Sequence, residues 1–519
     1  MHDAAYAAEA RKELPADVVE SRFYSDDLAP VPASRRNWNT YAFAALWISM
    51  CHCIPTYTLA GGMIADGMNW WQAQLTIGVG TLIVLVPILL NAHPGTKYGL
   101  PFPVLARSSF GTTGANVPAM LRAVVACGWF GINTYFGGEG VSALLASIWP
   151  GWEKLGGGMA VFGYPLPHFI AFALFWGINV WIIYKGMNAV RVFENWAAPL
   201  VLVMAGGLLV WLVFKAHGLG AMLHEPSKFA STGAFLPVFF LWMTGVVGFW
   251  STLALNIPDF TRFGKGQREQ MLGQSLGLPL TMIAFSFMAV VITSAAKEVL
   301  VGFPAKNLWD PVQILAAMTA PHAVGALHAP LIASAGTRVV VALLSVFGVG
   351  VASVSVNIAA NVVSPANDIA NLAPKHISFE TGGLVTALVG AAMLPWKLVD
   401  HGVGSWLVGY SALLGPIAGI MIVDYWLVRK TELDVNELYR GTGKHAGTNW
   451  LAVGAMLAGI APNVPGFLES VKAVGPVSPA LHWVFVFAWF VGFFVAGGVY
   501  WAGTALAKEP AAPASPAVQ

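Results

Sequence analysis

Two tryptophans and three asparagines, set in otherwise apolar stretches, are the side chains of this sequence best suited to holding a small molecule. In ACGWFGINTYFGGEG, Trp129 and Asn133 stand four apart and share one face of any helix that forms there. An indole plane beside an amide, which both donates and accepts, suits a flat ring with amide edges. A lipid-facing tryptophan beside a packing asparagine is the plainer alternative, and the second indole, Trp250, tips the balance. It follows Gly245 and Gly248 in TGVVGFWSTLALNIPDFTRF, so two tryptophans from different segments can close on the two faces of one planar ligand. In VGVASVSVNIAANVVSPAND, Asn357 and Asn361 are again one turn apart, with Ser353, Ser355 and Ser364 nearby. Polar side chains inside an apolar span face the interior of a bundle, as ligand contacts or as helix–helix glue.

The ionisable candidates are fewer. His52 titrates near neutral pH and reads either as a proton carrier or as a satisfied buried histidine. Glu139 reads likewise as a second carrier or a structural carboxylate. The triplet Cys51-His52-Cys53 invites a metal, but its cysteines point to opposite sides of a helix and no paired ligand spacing follows, so neither metal nor cofactor is expected. A membrane-embedded enzyme using His52, Cys53 and Glu139 would need an activated nucleophile with an orienting base, and no such pattern is present. Asp259, Arg262, Asp424 and Arg429 read as interface anchors at helix ends.

The elements that must position these residues follow from composition. Of 519 residues, 57% are hydrophobic and only 10% charged, which defines a polytopic, all-α membrane protein. The net charge of +2 carries no basic stripe for nucleic acid, and no obligate protein partner is indicated. No cleavable signal peptide is expected at the start. Apolar runs of spanning length recur at 42–65, 70–91, 117–148, 165–186, 193–215, 235–256, 272–300, 338–363, 380–396, 404–428, 449–466 and 480–504. With the N-terminus inside, 19 of the 27 lysines and arginines fall on the cytoplasmic side, which supports twelve spans with both ends in the cytoplasm of a cell whose inner membrane holds the protein.

The chain then divides into a solvated cytoplasmic tail (1–37), a transport core of ten helices (38–430), two accessory helices with their preceding loop (431–504) and a disordered tail (505–519). Pro55 must kink or unwind the first span close to its middle. Gly245, Gly248 and Pro258 interrupt the sixth span, five helices later, as a five-plus-five inverted repeat with broken helices at the midplane requires.

Taken in order, NWNTYAFAALWISM, NAHPGTKYGLPFPVLARSSFG, GWFGINTY, NIPDFTRF, AANVVSPA and GPIAGIMIVDYWLVRK resemble the nucleobase–cation symporter family, which includes bacterial hydantoin, allantoin, uracil and cytosine permeases. The resemblance runs from about Asn37 to Tyr439. It implies a leucine-transporter-like repeat of five plus five helices with two more at the C-terminus, and alternating access around a heterocycle held between Trp129 and Trp250. It implies that Asn133 and Asn361 bond the ring's edges, that Phe249 stands where a small residue is familiar, and that Leu407 gates the substrate. Cys53 replaces a commoner amide in the unwound part of span one. The coupling-cation region maps to Ser49, His52, Ala352, Ser355 and Val356. Sodium-coupled relatives carry a hydroxyl at the last of these, and valine offers a hard cation no oxygen. A proton is therefore favoured over sodium, with His52 or Glu139 as carrier. The expected protein is a symporter importing a small planar amide-bearing heterocycle. An amino-acid or amine carrier on the same fold, the rival, would place a charge at the midplane.

Overall fold

The computed structural model describes residues 4–507 except 150, 185–186 and 401–402. The proposed disordered tail therefore lies, from 508 onward, outside the described residues, as do Lys185 and Lys508.

Each of the twelve apolar runs falls on helical backbone, the last of them on two helices, Pro479–Val486 and Ala488–Leu506, that part at Phe487. The helices are α1, split into Thr40–Cys51 (α1a) and Ile54–Ala65 (α1b), α2 (Trp70–Tyr98), α3 (Asn116–Ile148), α4 (Leu166–Tyr184), α5 (Met187–Lys215), α6 (Thr232–Asn256), α7 (Gln267–Val299), α8 (Ala335–Val356), α9 (Phe379–Ala392), α10 (Val403–Ile422), α11 (Trp450–Ile460) and α12 (Ala488–Leu506). At 14 residues, α9 is shorter than the roughly 20 that cross a bilayer upright. Beyond α8 the chain continues through a π turn, Asn357–Val362, into the helix Val363–Ala370.

The two halves of α1 meet at a bend of 59°. Pro55 does not kink a continuous helix. It occupies the first turn of α1b, where no intrahelical N–H is required, and the break falls just before it at His52 and Cys53. Cys53 is extended there (φ −131°, ψ 158°).

The expected interruption at Gly245 and Gly248 is corrected: α6 stays helical through both and ends at Asn256, ahead of Pro258. Glycine permits a break without imposing one, and close packing explains Gly248. A Cβ at that position would lie 2.8 Å from the Leu407 carbonyl oxygen, so the missing side chain lets α10 seat against α6.

The solvated N-terminal tail is also corrected. Residues Ala4–Glu13 and Ala16–Glu20 are helical, and Val18, Leu28, Ala29 and Val31 are fully buried. The segment lies across one end of the bundle. Val31 N donates to Gly99 O, Arg262 Nη1 to Asp27 O, Lys375 Nζ to Val19 O, and Tyr439 Oη to Leu28 O. Those partners belong to the connections after α2, α6, α8 and α10, which places all four at one end with the start of the chain. The scattered arginines and lysines of residues 1–37 mask an apolar set large enough to need burial.

Candidate functional site

The residues singled out for ligand binding converge. Trp129 of α3 and Phe249 and Trp250 of α6 are in direct ring contact, whereas Cys53, Val356 and Leu407 share with them the apolar core that runs the length of the bundle. The rings form a chain: Trp129 meets Phe249 edge-on with centroids 5.4 Å apart, Phe249 meets Trp250 at 5.0 Å, and Trp250 meets Trp47 of α1a at 5.2 Å. Phe249 therefore stands between the two tryptophans expected to face each other. Its ring holds the space that a smaller residue would leave open.

Trp129 has a partner that was not foreseen. Its Nε1 donates to the hydroxyl of Tyr410 on α10 at 3.2 Å, and Tyr410 is itself buried against Trp406. Tyr410 lies one turn after Leu407, and this spacing was the available sign that both face the same site.

The asparagines divide their work. Asn357 Nδ2 reaches the Thr134 hydroxyl at 2.9 Å, the Phe130 carbonyl at 3.3 Å and Asn179 Oδ1 at 3.3 Å, tying the π turn to α3 and α4. Asn361 donates to Asn357 Oδ1 at 3.1 Å, and Asn133 Nδ2 turns back to the Trp129 carbonyl at 3.2 Å. Both Asn361 and Asn133 thus rest on internal bonds that a ligand amide could replace. A π turn widens the helix by one residue per turn and is frequent at functional positions, yet a plain helical sequence pattern does not reveal one.

At the break in α1, His52 Nδ1 donates to the Ile48 carbonyl at 2.7 Å, which leaves Nε2 as the acceptor nitrogen, buried and without a hydrogen-bond partner among the described residues. The ring packs on Phe285 with centroids 4.3 Å apart. His52 therefore satisfies a carbonyl that the broken helix frees. The Cys53 thiol lies 3.2 Å from the Thr56 hydroxyl. Around the expected cation region, α1a packs against α8; Ser49, Ser355 and Val356 are buried, and Ala352 is partly exposed.

Glu139 is placed elsewhere. It stands ten residues beyond Trp129, about 15 Å along the helix axis. There it accepts a bond from Tyr164 Oη and lies 2.9 Å from His168 Nδ1, whose Nε2 faces Glu153 at 3.3 Å. These partners come from the α3–α4 connection and the start of α4, so Glu139 belongs to a network at that end and not to the ring cluster. The four presumed interface anchors are corrected as well. Asp259, Arg262 and Asp424 are buried, and Asp424 accepts from Tyr500 Oη at 2.8 Å and Arg429 Nε at 2.6 Å. Of these buried charges, the Asp424 carboxylate is the one bonded on both oxygens by side chains that face it, which offsets its desolvation.

Leu407 also lines a groove of about 330 Å³ with Asp66, Trp242, Gly245, Glu469 and His482, whereas Trp129, Phe249, Trp250 and Asn361 do not. Leu407 thus borders an open space on one side and the ring cluster on the other.

This bundle, with its broken first helix and interior ring cluster, has the fold of a membrane transporter. Mhp1, a nucleobase-cation-symport-1 family transporter solved in a closed conformation with bromovinylhydantoin, superimposes with a TM-score of 0.71 over 93% of this chain and 96% of that one, at 22% identity. A Na⁺-coupled sialic acid symporter superimposes at 0.56 over 97% of this chain and 96% of that one, with 11% identity. Among curated proteins, the allantoin permease of Bacillus subtilis is 39% identical over 92% of both chains. The purine-uracil permease NCS1 of Arabidopsis thaliana is 41% identical over 92% of this chain and 77% of its own length. A family model for permeases of cytosine/purines, uracil, thiamine and allantoin matches residues 30–492, and the chain belongs to that family.

Proposed function

We propose that the protein imports a small planar heterocycle with amide edges, of the uracil, allantoin or hydantoin kind, together with a cation, by alternating access across the cytoplasmic membrane with both ends of the chain inside. The observation that carries this reading is the convergence of Trp129, Phe249 and Trp250 from α3 and α6 beside Asn133, with Asn361 on the π turn that packs against α3; both amides rest on exchangeable bonds. The relatives named for allantoin, purines and uracil support the substrate class. The ring contacts of the two indoles are with Phe249, Tyr410 and Trp47, an aromatic lining that favours a neutral ring over an amine or amino acid.

In this reading the heterocycle slides between Trp129 and Trp250 as Phe249 turns aside, and Asn133 and Asn361 exchange their internal bonds for bonds to the ring. Leu407 closes the site from the groove lined by Asp66 and Trp242, which serves as the outer approach. Residues 38–430 form the transport core and 431–504 the accessory pair. A proton is the coupling ion, because Val356 brings no oxygen to the α1–α8 junction. Saturable uptake of one labelled heterocycle into proteoliposomes, competed by unlabelled uracil or allantoin and not by leucine, tests the substrate class. Saturable leucine uptake would contradict it.

A further inference from the structure

Two turns before Trp129 on the same face of α3 sits Arg122, fully buried. Its Nη2 donates to the carbonyl of Ala360 at 3.1 Å, inside the π turn and next to Asn361. Its Nη1 lies 3.8 Å from Oδ2 of Asp368, in the helix that follows the π turn. That separation exceeds the roughly 2.7–2.9 Å of a charge-assisted hydrogen bond. Neither Nη1 nor Nε of Arg122 has a hydrogen-bond partner among the described residues, and neither oxygen of Asp368 has one, although both side chains are inaccessible to solvent. A second buried carboxylate, Asp259, is tied to the same helix by Asn367 Nδ2, which donates to Asp259 Oδ1 at 3.2 Å; Asp259 Oδ2 is also unpartnered.

An ionised carboxylate held this way, in a dry interior and beyond hydrogen-bond reach of its counter-charge, is strongly disfavoured. Two relaxations remove the cost. Asp368 takes a proton and becomes neutral, or Arg122 swings fully onto Asp368. The second releases the Ala360 carbonyl, because the guanidinium faces that carbonyl with Nη2 and Asp368 with Nη1. Arg122 thus ties the charge state of Asp368 to the π turn that carries Asn361.

We propose that Asp368 is the carboxylate that binds and releases the coupling proton, with Arg122 as the positioning residue that transmits its charge state to the substrate site. This rests on the transport reading above and names the ion-binding group within it. On loading, a proton adds to one carboxylate oxygen of Asp368; on release the same O–H bond breaks, and Arg122 closes on the carboxylate. The titratable and charged groups that act on Asp368 are Arg122 and Cys127 of α3 and Asp259 after α6, while Arg262 acts on Asp259.

The test uses the full chain in proteoliposomes with a labelled heterocycle that the wild type carries. Asp368→Asn is expected to keep counterflow exchange, which needs no net proton movement, and to lose concentrative uptake under an inward proton gradient. Asp368→Glu is expected to restore concentration with a displaced pH profile. Arg122→Lys is expected to shift the same profile. Concentrative uptake by Asp368→Asn at the wild-type level overturns the proposal and leaves the transport reading standing. If Asp368→Asn does not fold, an Asp368→Glu pH profile identical to wild type overturns it, and a displaced one supports it. Wild-type accumulation that follows sodium and ignores protons overturns the ion assignment, and absence of any heterocycle uptake removes the transport reading with it.

Discussion

The indole nitrogen of Trp129 donates to the Tyr410 hydroxyl at 3.2 Å, and this bond joins α3 to α10 across the cluster proposed to receive the ligand. It fixes the plane of the indole against which a heterocycle would stack. Tyr410→Phe keeps the ring and removes the acceptor, leaving a buried indole N–H unsatisfied at a cost on the order of 1–3 kcal/mol. The expected result is a KM raised by roughly tenfold, at about 1.4 kcal/mol per decade, with the maximal rate much less affected. Unchanged KM would show that Trp129 needs no such anchor.

Trp129→Ala and Trp250→Ala each remove one plane of the proposed sandwich. Stacking contributes on the order of 1 kcal/mol per ring beyond area burial, so each variant is expected to lose most of its affinity while still reaching the membrane. Equilibrium binding of a labelled heterocycle to purified protein measures this. Wild-type affinity in both variants would sink the sandwich.

Phe249 stands between those tryptophans. Phe249→Ala opens that space, and the variant is expected to accept a bulkier five-substituted hydantoin such as benzylhydantoin. A competition assay against uptake of the smaller substrate reads the change; an unaltered preference would place the size limit elsewhere.

Gly248 is a packing position with a narrow tolerance. A Cβ there would come within 2.8 Å of the Leu407 carbonyl oxygen and 3.2 Å of the Ser411 Cβ. Gly248→Val is expected to separate α6 from α10 and cost on the order of 1–3 kcal/mol, the usual range for overpacking. Thermal unfolding of the detergent-solubilised protein should fall by several degrees, and an unshifted midpoint would contradict the close approach.

Much of this architecture was legible in the order of residues, and the failures have definite causes. Runs of apolar residues long enough to span are forced by the cost of exposed backbone in hydrocarbon, so all twelve helices could be read directly. The break near Pro55 was readable because proline removes a donor, although its position just before the proline depends on helix-start geometry. At Gly245 and Gly248 the same reasoning misled, since glycine serves close packing as readily as it serves a break. Trp129 with Asn133 and Asn357 with Asn361 stood out as polar or aromatic groups at one-turn spacing, and Trp250 as a second indole just past the glycines of the sixth span. Tyr410, Arg122 and Asp368 did not, because their roles depend on partners more than a hundred residues away in the chain. The π turn at Asn357–Val362 was invisible for a similar reason: it arises from tertiary bonds to Phe130, Thr134 and Asn179.

Val356 offers the most direct view of the coupling ion. Val356→Thr adds a hydroxyl beside Ser355, giving α8 the two consecutive oxygens a hard cation would need. Uptake stimulated by sodium is expected in the variant and absent from the wild type. Sodium stimulation of the wild type would remove the meaning given to this valine.

The ring cluster is proposed to carry a neutral heterocycle into the cell together with a proton. Proteoliposomes offered labelled uracil, cytosine, allantoin, benzylhydantoin and leucine, each under a sodium gradient and separately under a proton gradient, put this to the test. Saturable uptake of one heterocycle, driven by protons without sodium, is the result expected. Accumulation of leucine, or of no heterocycle under either gradient, would contradict it.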